Sequence, residues 1–181
     1  MIPLSLQLQN FMCYGDNVPM LSFDGMHIAC LCGENGNGKS AIFDAMTWAL
    51  WGRSRAESDD SLIRYGQAEM QVQLEFLLHN QKYRAIRKRT KKPGSTRPGQ
   101  SLLDIQVLKD NTGYASISGN TISDTQDKIC NLLHMDYQTF INSAYLRQGH
   151  SNEFSIKTPA KITINKLHII LYLHLIFGCQ L

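Results

Sequence analysis

Residues Gly33-Glu34-Asn35-Gly36-Asn37-Gly38-Lys39-Ser40 fill every fixed position of the pattern G-x-x-x-x-G-K-[ST]. Each fixed residue type has a chemical reason. Glycines let successive backbone N–H groups turn inward around phosphate oxygens. The ammonium of Lys39 reaches the outer phosphates, and the Ser40 hydroxyl ligates Mg²⁺. The pattern therefore predicts a site for a nucleoside triphosphate and its magnesium ion.

Such a loop works only between a strand and a helix, and both flanks fit. His27-Ile28-Ala29-Cys30-Leu31-Cys32 is short and mostly apolar, which predicts a buried parallel strand. On that strand Cys30 and Cys32 would be inert core. After the loop, Ala41 to Trp51 is apolar almost all round, with Asp44 and Thr47 as exceptions, and stops at Gly52. This predicts a buried helix with its N-terminal dipole aimed at the phosphates, in which Trp48 and Trp51 serve packing.

The remaining elements follow from periodicity. Leu4, Leu6 and Leu8 alternate with Ser5, Gln7 and Gln9, a strand with one buried face that Pro3 suits as a start. Met20 to Phe23 forms a second short strand, closed by an Asp24-Gly25 turn. Residues 53–69 are polar and predict a surface loop. Met70, Val72, Leu74 and Phe76 alternate with polar partners, and Gln81 to Thr90 follows the turn-like His79-Asn80. Ser101 to Lys109 and Tyr114 to Ser118 complete an antiparallel meander. The link 91–100, with Pro93, Gly94, Pro98 and Gly99, predicts a mobile loop. Helical spacing returns over Ser123 to Met135, through Ile129, Leu132 and Leu133, and over Tyr137 to Leu146, with Asp136 as N-cap.

The 181 residues carry a formal charge of +3, unevenly placed. Lys82, Arg84, Arg87, Lys88, Arg89, Lys91, Lys92 and Arg97 fall in a window with no acid. The alternation Arg87-Lys88-Arg89 puts charge on both faces of a strand. It marks Arg87, Lys88, Arg89, Lys91 and Lys92 as candidates for DNA backbone phosphates, read without base specificity, against the plainer reading of a solvated strand face. Five cysteines with no C-x-x-C pair fit a reduced, cytoplasmic setting, and the first residues have no secretion-signal pattern. His134, His168 and His174 lack partners at metal-ligand spacing.

Three stretches carry a family resemblance: Leu8-Gln9-Asn10-Phe11; residues 33–52, GENGNGKSAIFDAMTWALWG; and Ala144-Tyr145-Leu146-Arg147-Gln148-Gly149, followed by Phe154. Over roughly residues 1–160 the chain resembles the N-terminal half-head of the SbcC-type exonuclease subunit, a DNA-repair ATPase related to SMC and ABC ATPases. The resemblance implies an α/β P-loop NTPase with a mixed sheet, a β-rich subdomain at about 70–118 and helices at about 121–147. It implies ATP and Mg as cofactors, bound along Asn35, Gly36, Asn37, Gly38, Lys39, Ser40 and Ala41. Gln148 is implied as the Q-loop glutamine, near the Mg²⁺ and the γ-phosphate. Where members commonly place a basic or hydroxyl residue after the Asn-Phe pair, this chain has Met12 and Cys13.

The implied partners are an SbcD-type nuclease, a C-terminal half-head, a second head for a composite ATP site, and DNA; no membrane is implied. The implied function is coupling ATP binding and hydrolysis to processing of DNA double-strand ends. The coiled coil with its zinc hook, the signature motif, the Asp-Glu strand and the switch histidine of that family do not occur in these residues. The expectation is therefore contact with Mg-ATP through Lys39 and Ser40 but little hydrolysis by this chain alone. The alternative is a non-catalytic module that binds nucleotide or DNA. Residues 161–181 are apolar without heptads, with too short an apolar run for an ordinary membrane span. They read as sequence foreign to the fold, from a frameshift, premature stop or gene-boundary error, or else as a packed C-terminal strand or helix.

Overall fold

The computed structural model describes residues 1–26, 29–92, 94, 96–109 and 113–143. Six strands form one sheet in the order β2-β1-β3-β4-β5-β6. They are β1 (Ile2–Gln9), β2 (Leu21–Ser22), β3 (Glu69–Leu78), β4 (Gln81–Thr90), β5 (Gln100–Lys109) and β6 (Gly113–Ser116). Every pairing among them is antiparallel. The expected α/β character holds, but no parallel pairing joins it among the described residues.

Alternation decides which face is buried. On β3, Met70, Val72, Leu74, Phe76 and Leu78 are all buried, and the residues between them are not. That is the period of a strand with one wet face. The hairpin to β4 turns on His79 and Asn80, at φ 49° and 62°, the left-handed pair that suits a two-residue turn. In β1 the register with β3 slips between Pro3 and Ser5, so Leu4 is only half-buried while Leu6 and Leu8 are fully buried.

The buried face carries the helices. α1 (Lys39–Trp51) lies against β3 and β4, and α2 (Ile122–Leu133) against β5. Residues Ala41 to Trp51 are all buried, as an all-round apolar helix requires. Each large apolar side chain so placed stabilises the fold by about 1.5–3 kcal/mol. Trp48 packs on Phe11, and Trp51 on Tyr137 and Phe140 of α3 (Tyr137–Ser143). α2 starts at a capping box between Thr121 and Asp124, and Asp136 caps α3 through Thr139 N–H at 2.7 Å. The Thr139 amide holds the Asp136 carboxyl below its usual range.

Residues 53–69 are more than a surface loop. A 3-10 turn at Asp59–Leu62 buries Leu62 completely, and Ile63 bridges to Phe11. The polar sequence around Leu62 hid this single anchor.

Candidate functional site

The loop at 33–38 leads straight into α1. Gly38 is the N-cap, left-handed at φ 82°, and no side chain caps the helix. A β-carbon at Gly38 would run into Cys13 Sγ and the Tyr14 ring, so only glycine fits there. The Tyr14 hydroxyl donates to the Gly38 carbonyl at 3.1 Å, fastening the 10–15 turn to the loop. Burial, then the nearby Cys13, pushes the Tyr14 phenol up. The Lys39 ammonium folds back along the loop, donating to the Gly33 carbonyl at 2.5 Å and the Glu34 carbonyl at 2.6 Å. Residues Gly33 to Asn37 are exposed, and Gly38, Lys39 and Ser40 are half-buried.

These residues fit a triphosphate with magnesium. The first-turn N–H groups of α1 have no side-chain acceptor, and the helix dipole favours an anion at that end. Lys39 and Ser40 stand in that same first turn, beside the open loop. Gln148 lies outside the described residues, as do His168, His174, Phe154 and the tail 161–181. Among the described residues no group of three or more His, Cys, Asp or Glu side chains could hold a metal ion by itself.

The expected strand before the loop is not there. Residues 29–32 form no strand, and Cys30 and Cys32 are exposed rather than core; His27 and Ile28 lie outside the described residues. The physical reason is that a strand is held by ladder bonds to a neighbouring backbone, not by its own composition, and residues 29–32 belong to none of the sheet's six strands. A hydrogen bond between the two thiols pushes Cys30 up.

The basic window is also rearranged. Arg87 does not face solvent; it is 5% exposed and lies under the C-terminal end of α1. Its Nε donates to Ala49 O at 3.3 Å and its Nη2 to Gln126 Oε1 at 2.6 Å, while the guanidinium sits 5.7 Å from the Trp48 ring. Burial pulls its pKa down to about 10, opposed by the charge of Asp59. The cause is register: Arg87 falls on the inward side of β4, where a helix end offers carbonyls and negative dipole. Arg89 and Lys91 both pair with Asp60, at 2.7 and 3.2 Å, and Arg84 pairs with Glu75 at 2.6 Å under Tyr114. Of the five candidates, Arg87 is corrected to a buried cap, and Lys88 and Lys92 are the exposed ones.

Asp60 is a centre that sequence reasoning missed. Burial pushes its carboxyl up, but bonds from Arg89, Lys91 and the Gly99 amide outweigh that and hold it below the usual range. It also borders a pocket of about 160 Å³ lined by Arg64, Tyr65, Lys91 and Lys92. Asp44 was legible only as an odd polar residue in an apolar helix. It is buried and receives Arg55 through Nη2 at 2.6 Å, Nε at 3.0 Å and the backbone N–H at 3.1 Å.

With this geometry in place, comparison with known proteins defines the class. Residues 5–173 match the AAA domain family, and the chain belongs to it. Within that class its curated relatives include Rad50 ATPases of DNA double-strand break repair and C subunits of the SbcCD nuclease, and the latter are the type that the three sequence motifs implied. The DNA double-strand break repair Rad50 ATPase of Methanocaldococcus jannaschii is 32% identical over 142 residues, 77% of this chain and 13% of the relative. The SbcC component of the SbcCD nuclease of Deinococcus radiodurans is 31% identical over 152 residues, 82% of this chain and 16% of the relative. Its Staphylococcus aureus counterpart is likewise 31% identical, over 86% of this chain and 16% of the relative. The chain thus spans about a sixth or less of the length of these relatives. A solved chain from work on ATP-driven dimerization and DNA-stimulated activation of SMC ATPases shares the fold. Its TM-score is 0.56 at 22% identity, covering 88% of this chain and 94% of that one. No helix among the described residues is long and apolar enough to cross a membrane.

Proposed function

We propose that residues 1–160 are the N-terminal ATP-binding half-head of an SbcC-type ATPase. In the full assembly it couples ATP binding and hydrolysis to processing of DNA double-strand ends by an SbcD-type nuclease. The observation that carries this reading is the uncapped start of α1, where Gly38, Lys39 and Ser40 meet an exposed glycine loop. Backbone N–H groups from Asn35 to Ala41 would receive the phosphates. Lys39 would exchange its bonds to Gly33 and Glu34 for the outer phosphates, and Ser40, with Gln148, would hold Mg²⁺. Magnesium, when bound, supplies charge neutralisation between those phosphates.

Hydrolysis also needs a group that orients water and one that reaches the γ-phosphate. In this reading both come from a C-terminal half-head and a second head, so the chain alone binds but hardly turns over. Lys88 and Lys92, exposed beside the Tyr65 pocket or on the outer sheet face, suit DNA phosphates. The test is Mg-ATP affinity of the chain and of Lys39→Ala, with circular dichroism as a fold control. The expected result is binding that Lys39→Ala weakens about a hundredfold, a loss typical of a desolvated charged contact. Equal affinity in the two proteins would refute the site. Vigorous turnover abolished by Lys39→Ala would refute the dependence on a second half.

A further inference from the structure

Two thiols stand side by side on the segment that enters the phosphate loop. Cys30 and Cys32 are exposed, with their sulfur atoms 3.5 Å apart. Alternate residues meet this way only because residues 29–32 form no strand. In an extended strand, residues i and i+2 stand about 6.6 Å apart with parallel side chains. A disulfide needs its two β-carbons about 3.5–4.5 Å apart. A strand at 29–32 and a bond between Cys30 and Cys32 therefore exclude one another. Three residues of loop separate Cys32 from Gly36, so whatever fixes this segment also fixes the entry to the glycine turn.

We propose that Cys30 and Cys32 form a reversible redox pair, whose disulfide locks residues 29–32 in the non-strand conformation that the thiol form shows, so that they cannot become extended when nucleotide binds, and weakens nucleotide binding at the adjoining loop 33–40. The effect on nucleotide rests on the function proposed above; the redox pair itself does not. The oxidant is a low-molecular-weight disulfide such as oxidised glutathione. The thiolate of one cysteine attacks it, forming a mixed disulfide and releasing one glutathione thiol. The other cysteine then attacks the mixed disulfide, the Cys30–Cys32 bond forms, and the second glutathione leaves as a thiol. Two electrons and two protons pass from the pair to the oxidant. A bond across a single intervening residue closes a small ring, and strained, exposed disulfides are the ones readily reduced again.

Cys13 is a third exposed thiol, seated against Gly38, and the test must keep it apart. The full chain is treated with oxidised glutathione, then cleaved at Asp24 and Lys39, which separates the pair from Cys13. The expected result is a peptide lighter by two hydrogen atoms, restored by dithiothreitol. ATP affinity of the oxidised chain should be lower by about tenfold or more, and Cys30→Ser should resist both changes. Peptides carrying only glutathione adducts would overturn the pair. An internal disulfide with unchanged ATP affinity would overturn its coupling to the loop. If the reduced chain binds no nucleotide, the functional reading has failed and amide hydrogen exchange over 29–32 decides the pair. Exchange altered by oxidation supports the locked segment, and unaltered exchange overturns it.

Discussion

Arg87 and Gln126 meet at 2.6 Å beneath the last turn of α1, and each also holds a carbonyl of that turn. Arg87 Nε donates to Ala49 O at 3.3 Å, and Gln126 Nε2 to Leu50 O at 2.8 Å. A strand and a second helix together cap the end of the helix that begins at Lys39. Gly52, left-handed at φ 63°, leaves room for the guanidinium, which a β-carbon there would crowd.

Replacing Arg87 with methionine should therefore destabilise the fold by about 2–4 kcal/mol, because Gln126 Oε1 and Ala49 O lose their donor in a buried place. Chemical denaturation measures this. Lys88→Met, one residue on and facing the other way, should change stability by under about 0.5 kcal/mol. Equal losses in the two variants would contradict the cap.

Asp60 should set part of the acid limit. Its folded pKa lies below the usual 3.8, so it stabilises the fold above about pH 4, and that contribution disappears as pH falls through the folded value. Asp60→Asn should cost stability at neutral pH, and the gap from the natural chain should narrow below about pH 4. Parallel stability curves across that range would exclude the role.

Asp44 needs Arg55 although Arg55 is half-exposed. Removing the guanidinium in Arg55→Ala leaves the buried carboxylate with the backbone N–H of residue 55 as its remaining donor in this pair. Thermal melts should show a loss of about 1–3 kcal/mol, at the lower end because the guanidinium is screened by water.

DNA binding, if it runs through the exposed lysines, is a salt effect. Lys88→Gln and Lys92→Gln should each lower the slope of log affinity against log salt by about 1, with no change in base preference. Titrations of duplexes of two unrelated sequences at several salt concentrations would show it; an unchanged slope would remove both lysines from the contact.

The sequence announced the parts whose causes are local. Alternation on β3, the His79-Asn80 turn, the all-apolar stretch ending at Gly52 and the Asp136 cap each depend on residues close in the chain, and each formed as expected. The glycine pattern at 33–38 was legible for the same reason, and it leads directly into α1. What failed depended on partners far away. Nothing near Arg87 says that its side of β4 meets a helix end, and nothing near Asp60 says that Arg89, Lys91 and Gly99 converge on it. The apolar run 27–32 has strand chemistry, but pairing is a property of the sheet, and residues 29–32 belong to none of its six strands.

Trp48 and Trp51 are the chain's only two tryptophans, and both are buried on α1. All indole fluorescence from this protein is therefore light from one thirteen-residue helix, whose first residue is Lys39. Trp48 donates from Nε1 to Asp59 at 3.0 Å and Trp51 to the Met135 carbonyl at 3.1 Å, so each ring is moored to a different neighbour. A phosphate compound that tugs on the start of that helix is observable without a label, as a change in emission from its far end.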